Sequence, residues 1–308
     1  MWEKFYSKNG LAAKNIAKEL IQLETGNKIP RVSDYSKKLS IGRGTVQSAL
    51  SLLEELRAIK LEARGHLGTF LTNKDNDLLL EIAGIAPLTG SMPLPYSRKY
   101  EGLATGLVEV FESAGKKVNL MYMRGGLNRI ETVRTKRSDF AIVSRLTAKS
   151  VLSKYSNLKV FKEFGTNSYV STHKIFLADP NQSKVQDGMK IGVDMESPDQ
   201  MKLTFAEFEH RNVEYVNTNY MQLFDMLMSL QIDATIWNAD ESKMSQTFRS
   251  TSFQSPKAIE ISKDTSEAVI VIDGDREKEI IEKWPFVETS QILNIQKEVE
   301  KGIKIPSY

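Results

Sequence analysis

The sequence contains no cysteine among its 308 residues. This absence excludes disulfide bonds, thiolate metal ligands and cysteine nucleophiles, and it is typical of a protein that works in a reducing compartment. Only three histidines are present, His66, His173 and His210, and none has a metal-ligand spacing to another histidine or to a carboxylate. We therefore expect no metal site and no cofactor.

Long apolar runs are also missing, because no uninterrupted stretch approaches the ~18 residues that a membrane span requires. The polar and aromatic start, followed by an amphipathic helix, does not resemble a secretory signal. There is no Gly-x-Ser-x-Gly, no phosphate loop and no Gly-x-Gly-x-x-Gly after a strand. Acidic pairs such as Asp194 with Glu196 are more typical of solvated strand ends than of catalysis. We expect a cytoplasmic protein with no membrane contact and no catalytic residues.

The length suggests about two domains, and the charge is divided unevenly between them. Residues 1–75 contain 13 Lys and Arg against 8 Asp and Glu, whereas the rest of the chain contains 29 against 31. A basic surplus on one segment is expected of a nucleic-acid-binding domain, although chance variation among surface charges gives the same pattern.

A helical segment near residue 43 has two contrasting faces. Its apolar residues follow the helical spacing i, i+3, i+4 and i+7, as seen for Val46, Ala49, Leu50 and Leu53. The opposite face is small and polar. A helix that is apolar behind and polar in front can enter a DNA major groove, where base edges are read by hydrogen bonds.

Two strand-like segments follow, and the hairpin at residues 62–70 has Arg64, Gly65, His66 and Gly68 at its tip. The hairpin and the helix before it resemble the winged helix-turn-helix of GntR-type transcription regulators over about forty residues. The sequence departs from that family at Gly42, which lacks a capping hydroxyl, and at Gln47 and Ser33, where arginine is usual. The resemblance implies a double-stranded DNA operator as partner and DNA contacts from Arg31, Ser33, Arg43, Gly44, Thr45, Gln47, Ser48, Arg64 and His66.

The polar residues 73–77 predict a hinge between two domains. The first domain would comprise residues 1–74 and the second residues 78–308. Strand and helix patterns then alternate, beginning with a strand at residues 78–85, a loop at 87–97 and a helix at 98–113. Extended residues 168–178 indicate a crossover to a second strand–helix set. We predict an α/β class with two lobes, lobe 1 at about 78–178 and 256–308 and lobe 2 at about 182–245.

This order resembles the type 2 periplasmic-binding-protein fold that many bacterial regulators use as a sensor. More narrowly, the runs MPLPY at residues 92–96, YEGLATGL at 100–107 and IWN at 236–238 resemble the YhfZ group of GntR-like regulators. That resemblance covers nearly the whole chain and implies a sensor joined to a winged helix, but it supplies no effector.

Clefts between lobes are common ligand sites, and ligands often lie beyond strand ends or at helix N-termini. Ser197 followed by a proline predicts a helix N-terminus that could bind a ligand. The alternative is that Ser197 only caps the helix. Arg124 and Arg145 end strands, which suggests a small anionic effector. The ligand-site candidates are Ser91, Tyr96, Arg98, Arg124, Ser144, Arg145, Ser197, Asp199, Gln200 and Asn238.

The sequence therefore predicts an effector-responsive bacterial transcription regulator. Such regulators usually bind two DNA half-sites, so the resemblance implies a homodimer. A stand-alone solute-binding protein and an enzyme on the same two-lobed fold remain the alternatives. Turnover of a metabolite would distinguish the enzyme from a sensor.

Overall fold

A computed structural model describes residues 7–85, 87–284 and 288–308. The chain divides into two compact units, Met1–Ala86 and Pro87–Tyr308, which are called the first and second unit below. Among the described residues, none of the helices combines the length and the apolar character that crossing a membrane demands.

The first unit is a helical cluster closed by a hairpin. Its elements are α1 (Lys8–Gln22), α2 (Val32–Leu39), α3 (Arg43–Glu55), β1 (Ile59–Ala63), β2 (Thr69–Lys74) and α4 (Asn76–Ile82). The strands β1 and β2 pair antiparallel, and Lys28 forms an isolated bridge with Phe70 beside them. This is a helix-turn-helix followed by a wing, as the sequence predicts.

The core of the first unit explains why α3 has two faces. Val46, Ala49 and Leu53 are fully buried and Leu50 nearly so, in one cluster with residues of α1. Burying each such side chain contributes about 1.5–3 kcal/mol, so this stripe fixes the rotation of α3 and turns its polar side outward.

The expected strand at residues 78–85 is wrong, because this segment begins with the helix α4. The Asp75 side chain accepts a hydrogen bond from the Leu78 backbone N–H at 3.0 Å and so caps the helix. Leu79 and Ala83 are then buried in the first unit's core. A short apolar run does not distinguish a buried strand from a buried helix, and here the cap decides for the helix.

The second unit has two lobes, each built on a five-stranded sheet. The elements of the first lobe are β3 (Leu88–Met92), α5 (Arg98–Ser113), β4 (Val118–Tyr122), α6 (Gly126–Arg134), β5 (Phe140–Ser144), α7 (Arg145–Leu152), β6 (Leu158–Glu163), β12 (Ala268–Asp273), α12 (Glu277–Lys283) and α13 (Thr289–Glu300). Its strand order is β4-β3-β5-β12-β6, with only β12 antiparallel to its neighbours.

The second lobe repeats this arrangement. Its elements are β7 (His173–Leu177), β8 (Lys190–Val193), α8 (Pro198–Phe208), β9 (Glu214–Asn217), α9 (Leu223–Met228), β10 (Ala234–Asn238), α10 (Ser242–Thr247), β11 (Arg249–Thr251) and α11 (Pro256–Thr265). The strand order is β11-β7-β10-β8-β9, and β7 is antiparallel to both neighbours. The helix α11 follows β11 and packs against α8.

The chain crosses between lobes twice, after β6 and after α11. Two sheets of matching order with two crossings are the type 2 periplasmic-binding-protein arrangement, so the predicted fold class is confirmed. Three details differ from the prediction. Residues 256–265, expected in lobe 1, form α11 of the second lobe. Leu88–Met92, expected in a loop, is the first parallel strand of lobe 1, and His173–Leu177, expected in lobe 1, belongs to the second sheet. The alternating pattern did not reveal either strand, because both are buried on nearly every residue.

Candidate functional site

The outer face of α3 is free to meet a partner. Arg43, Gly44, Gln47 and Ser48 are exposed and Thr45 is half-buried. Within the described parts of the chain, the side chains of Arg43, Gln47 and Ser48 form no hydrogen bond or ion pair. A helix N-terminal face of this kind keeps its hydrogen-bonding groups available for base edges.

The wing places two more predicted DNA contacts on an exposed tip. Arg64 and His66 are both exposed, and the Arg64 guanidinium lies 2.8 Å from the Glu62 carboxylate and 4.5 Å from the centre of the Phe70 ring. The ion pair lowers the pKa of Glu62. Arg64 is therefore held along the hairpin by a partner that also neutralises its charge.

The remaining two predicted DNA contacts lie at the start of α2. Arg31 is exposed and its backbone N–H donates to the Asp34 carboxylate at 3.0 Å, while Ser33 is half-buried. These positions precede the turn that leads to α3, which is where a helix-turn-helix approaches the phosphate backbone.

The second unit contains a cavity of about 170 Å³ between its lobes. Lobe 1 contributes Tyr96, Arg124 and Arg129 to its wall, and lobe 2 contributes Asp199 and Asn238. The walls come from the carboxyl ends of parallel strands and from the starts of α6 and α8, which is the position that open α/β sheets offer to ligands.

Arg129 is the most unusual group in this wall, because only 4% of its surface is exposed. Its Nε donates to the Ile142 carbonyl at 2.8 Å, its Nη1 to the Met123 carbonyl at 2.8 Å and its Nη2 to the Tyr169 hydroxyl at 2.6 Å. All three acceptors are neutral, and no carboxylate among the described residues forms an ion pair with this guanidinium. The buried positive charge is therefore uncompensated by a direct partner.

Asp199 holds the two lobes together from the first turn of α8. Its Oδ1 accepts hydrogen bonds from the Ser144 hydroxyl at 2.7 Å and from the Thr147 hydroxyl at 3.0 Å, both in lobe 1. Burial raises the pKa of Asp199 to about 6. A second link between the lobes joins the Arg124 guanidinium to the Asn219 side-chain oxygen.

Asn238 places an unpaired donor beside the cavity. It is 2% exposed, its side-chain oxygen accepts from the Asp240 backbone N–H at 2.9 Å, and its Nδ2 has no partner within the described residues. A buried amide that lacks an acceptor costs free energy comparable to a lost hydrogen bond. An acceptor on a bound molecule would remove that cost.

Aromatic rings and a neutral histidine complete the wall. Tyr220 stacks on Trp237 with ring centres 3.9 Å apart, and Tyr100 packs against Tyr96 and Tyr169 edge to face. Burial lowers the pKa of His173 to about 4, so its ring is neutral near pH 7.

Six of the ten predicted ligand-site residues line the cavity. They are Tyr96, Arg124, Ser197, Asp199, Gln200 and Asn238. The Gln200 side chain is already used within lobe 2, since it accepts from the Asp194 backbone N–H at 2.8 Å and donates to the Gly192 carbonyl at 3.1 Å. Ser144 acts on the site through its hydrogen bond to Asp199.

The remaining three candidates lie elsewhere. Arg145 is held by carboxylates of Glu267 at 2.6 Å and Glu163 at 2.8 Å, so its charge is already compensated. Arg98 is exposed and pairs with Glu101 at 3.3 Å. Ser91 is fully buried on β3, where its hydroxyl donates to the Arg129 carbonyl at 3.3 Å.

Four further residues of the wall were not predicted from the sequence, namely Arg129, Tyr100, Tyr169 and Tyr220. One signal could have found Arg129: it follows Gly125 and Gly126, and Gly125 has the positive φ of 77° that glycine adopts readily. A glycine pair that starts a helix brings the first turn close to a cleft. No group of three or more histidine and acidic side chains suited to a metal ion occurs in the described residues.

Comparison with known proteins agrees with both units. The model of the YhfZ C-terminal domain family matches residues 75–308, and a helix-turn-helix domain model matches residues 24–71. The YhfZ protein of Escherichia coli (strain K12), described as uncharacterized, is 33% identical over 238 residues, which are 77% of this chain and 77% of that protein.

Solved structures show the same fold. The crystal structure of YhfZ from Shigella flexneri matches 76% of this chain and 98% of its own, with 31% identity and a TM-score of 0.59. A crystal structure of a protein from Actinomyces odontolyticus covers 70% of this chain and 95% of its own, with 12% identity and a TM-score of 0.51. The second similarity concerns the fold alone.

Proposed function

Because the chain belongs to the YhfZ family, we propose that it is a transcription regulator that responds to an effector. In this proposal the first unit binds operator DNA in the cytoplasm as part of a homodimer. The cleft of the second unit binds a small molecule and releases it unchanged, and its binding alters the affinity for DNA.

The observation that supports DNA binding most strongly is the free polar face of α3. Its inner stripe is buried, while Arg43, Gln47 and Ser48 are exposed, and their side chains form no hydrogen bond or ion pair with any described residue. We assign base contacts to these three with Thr45 and Gly44, and phosphate contacts to the α2 start and the wing. The proposed phosphate contacts are Arg31, Ser33, Arg64 and His66.

The support for an effector is the cavity between the lobes, in whose wall Arg129 has no direct carboxylate partner among the described residues. A buried guanidinium without a carboxylate partner favours a ligand that bears negative charge. Arg124 and the helix starts at Gly126 and Pro198 add positive potential to the same wall. We therefore propose an effector with at least one anionic group.

The DNA-binding part is tested by selecting bound genomic fragments and measuring their affinity by fluorescence anisotropy. The affinity should fall steeply as salt rises, because phosphate contacts release counterions. Gln47→Ala should weaken binding about fivefold to a hundredfold, as loss of one base contact does. Gln22→Ala is the matched control, since it removes an exposed glutamine from α1 in the same unit.

Equal loss of affinity in both variants, or no fragment enriched at any salt concentration, would contradict the assignment of α3 as the reading helix. The effector part is tested separately by native mass spectrometry of the purified full chain. We expect a bound small molecule that is recovered unchanged after release, whereas a chemically altered molecule would favour the enzyme alternative.

A further inference from the structure

We propose that the cleft is built for a zwitterionic α-amino acid, with the carboxylate at Arg129 and Asn238 and the ammonium at Asp199. This inference rests on the proposed sensor role of the cleft and names the class of molecule that it senses. It follows from three groups that the protein itself leaves incompletely paired.

The carboxylate end is defined by donors from both lobes. Arg129 in lobe 1 donates three of its N–H groups to neutral oxygens. Among the described residues it forms no ion pair with a carboxylate. Asn238 in lobe 2 has a buried Nδ2 without an acceptor. A carboxylate supplies the charge that the guanidinium lacks and an oxygen for the amide, and it would connect the two lobes.

The ammonium end is defined by Asp199. Only its Oδ1 is used, by the Ser144 and Thr147 hydroxyls, and its Oδ2 accepts no hydrogen bond from the described residues. Lys202 on the same helix and Arg129 influence it only through longer-range attraction. A ligand ammonium would give the Asp199 carboxylate a direct cationic partner. The faces of nearby tyrosines such as Tyr220 also attract a cation.

The overall charge of the wall argues against a purely anionic ligand. Asp194 is also in the wall and is 8% exposed, with its two oxygens accepting from the Glu196 and Tyr220 backbone N–H groups at 2.9 Å and 3.0 Å. The buried Asp194, the half-buried Asp199 and the exposed Glu196 therefore share this wall with Arg124 and Arg129. A dianion such as phosphate would face these acidic groups, whereas a zwitterion places each of its charges against an opposite one.

The cavity has room for one amino acid. Its volume of about 170 Å³ is close to the ~150 Å³ of an engineered cavity that takes benzene. A single amino acid of small or medium size fits this space. The aromatic rings of Tyr96 and Tyr220 would lie against its side chain.

The test uses thermal shift and calorimetry on the full chain with the standard L-α-amino acids as probes. At least one should bind and raise the Tm, and its N-acetyl form, its amide and its decarboxylated amine should each bind at least about tenfold more weakly. Asp199→Asn keeps the hydrogen bonds from Ser144 and Thr147 possible but removes the charge, and it should weaken binding by a similar factor. Asp225→Asn, an exposed aspartate on α9, is the matched control and should change nothing.

Tight binding of succinate or inorganic phosphate, with no amino acid bound, would overturn the zwitterion and leave the sensor role intact. Equal affinity for an amino acid and its N-acetyl form would overturn the role of Asp199. If no probe binds and native mass spectrometry finds no small molecule, the zwitterion and the sensor role are both wrong.

Discussion

The α3 face of the first unit and the cleft of the second unit present their polar groups in opposite ways. On α3, Arg43, Gln47 and Ser48 are exposed, have no partner in the described part of the chain and lie opposite a fully apolar stripe. In the cleft, Arg129 and Asn238 are almost fully buried and partly paired within the protein.

This difference separates two kinds of recognition. Exposed groups are already solvated, so they cost the folded state little and are available for a large, hydrated partner such as DNA. Buried groups with missing partners destabilise the empty protein and gain most from a small ligand that completes them. The first region should therefore tolerate substitution without loss of stability, and the second should couple stability to ligand binding.

The largest expected effect separates the two faces of α3 itself. Leu53→Ala removes a fully buried side chain and should lower the free energy of unfolding of the first unit by about 2–5 kcal/mol. Ser48→Ala on the opposite face should change it by less than about 0.5 kcal/mol. Thermal unfolding followed by circular dichroism, with hydrogen exchange of peptides from the first unit, measures both. Similar losses in the two variants would show that Ser48 is part of the core.

The next largest effect is expected when an arginine is replaced by methionine in each of the two regions. Arg129→Met should weaken binding of the amino-acid probe about tenfold to a hundredfold and leave affinity for the selected DNA without probe unchanged. Arg43→Met should weaken DNA binding by a similar factor and leave probe binding unchanged. Calorimetry and anisotropy on both variants complete the comparison, and a variant that loses both activities would contradict the separation of the two sites.

Probe binding should also depend on pH through Asp199. Since its pKa is raised to about 6, the carboxylate is ionised above that pH and protonated below it. A ligand ammonium binds the ionised form, so affinity should be constant between about pH 7 and pH 8, where the ammonium keeps its proton, and fall up to tenfold per unit below pH 6. Tyr169 stays neutral in this range, because its pKa is raised, and His173 stays neutral because its pKa is lowered to about 4. Calorimetry across pH should show this fall in the wild type, and an equal fall in Asp199→Asn would assign it to another group.

The smallest effect concerns the wing. Glu62→Gln removes the acidic partner of Arg64 and one negative charge beside the proposed phosphate contact. Affinity for DNA should rise about twofold to fivefold at low salt, and the gain should shrink as salt screens the charges. Anisotropy at two salt concentrations measures it. A decrease would show that the ion pair orients Arg64 productively.

The sequence predicted the parts of the fold that depend on local spacing. The α3 stripe, the helix Arg98–Ser113 and the strand Phe140–Ser144 are observed at the predicted residues. The segment at residues 78–85 was assigned wrongly because a short apolar run is compatible with both strand and helix. The hydrogen bond by which Asp75 caps the segment, seen in the structure, shows that the segment is a helix.

The cleft was harder to predict because its partners are distant in the chain. The hydroxyl that holds Asp199 comes from Ser144, 55 residues earlier, and the carboxylate that occupies Arg145 comes from Glu267, 122 residues later. A sequence pattern shows that an arginine follows a strand, but not whether a distant carboxylate already neutralises it. For the same reason the sequence does not show that Arg129 lacks such a partner, although the glycine pair before it marks the start of its helix.

Control of the DNA-binding unit by the cleft is the central proposal. It is tested most directly by the Kd of the full chain for a selected genomic fragment, with and without saturating amino-acid probe. We predict a change of about fivefold to 150-fold in the wild type, the usual range of such coupling, and a much smaller change in Asp199→Asn at the same probe concentration. The same Kd in the presence and absence of a probe that calorimetry shows to be bound would contradict the claim.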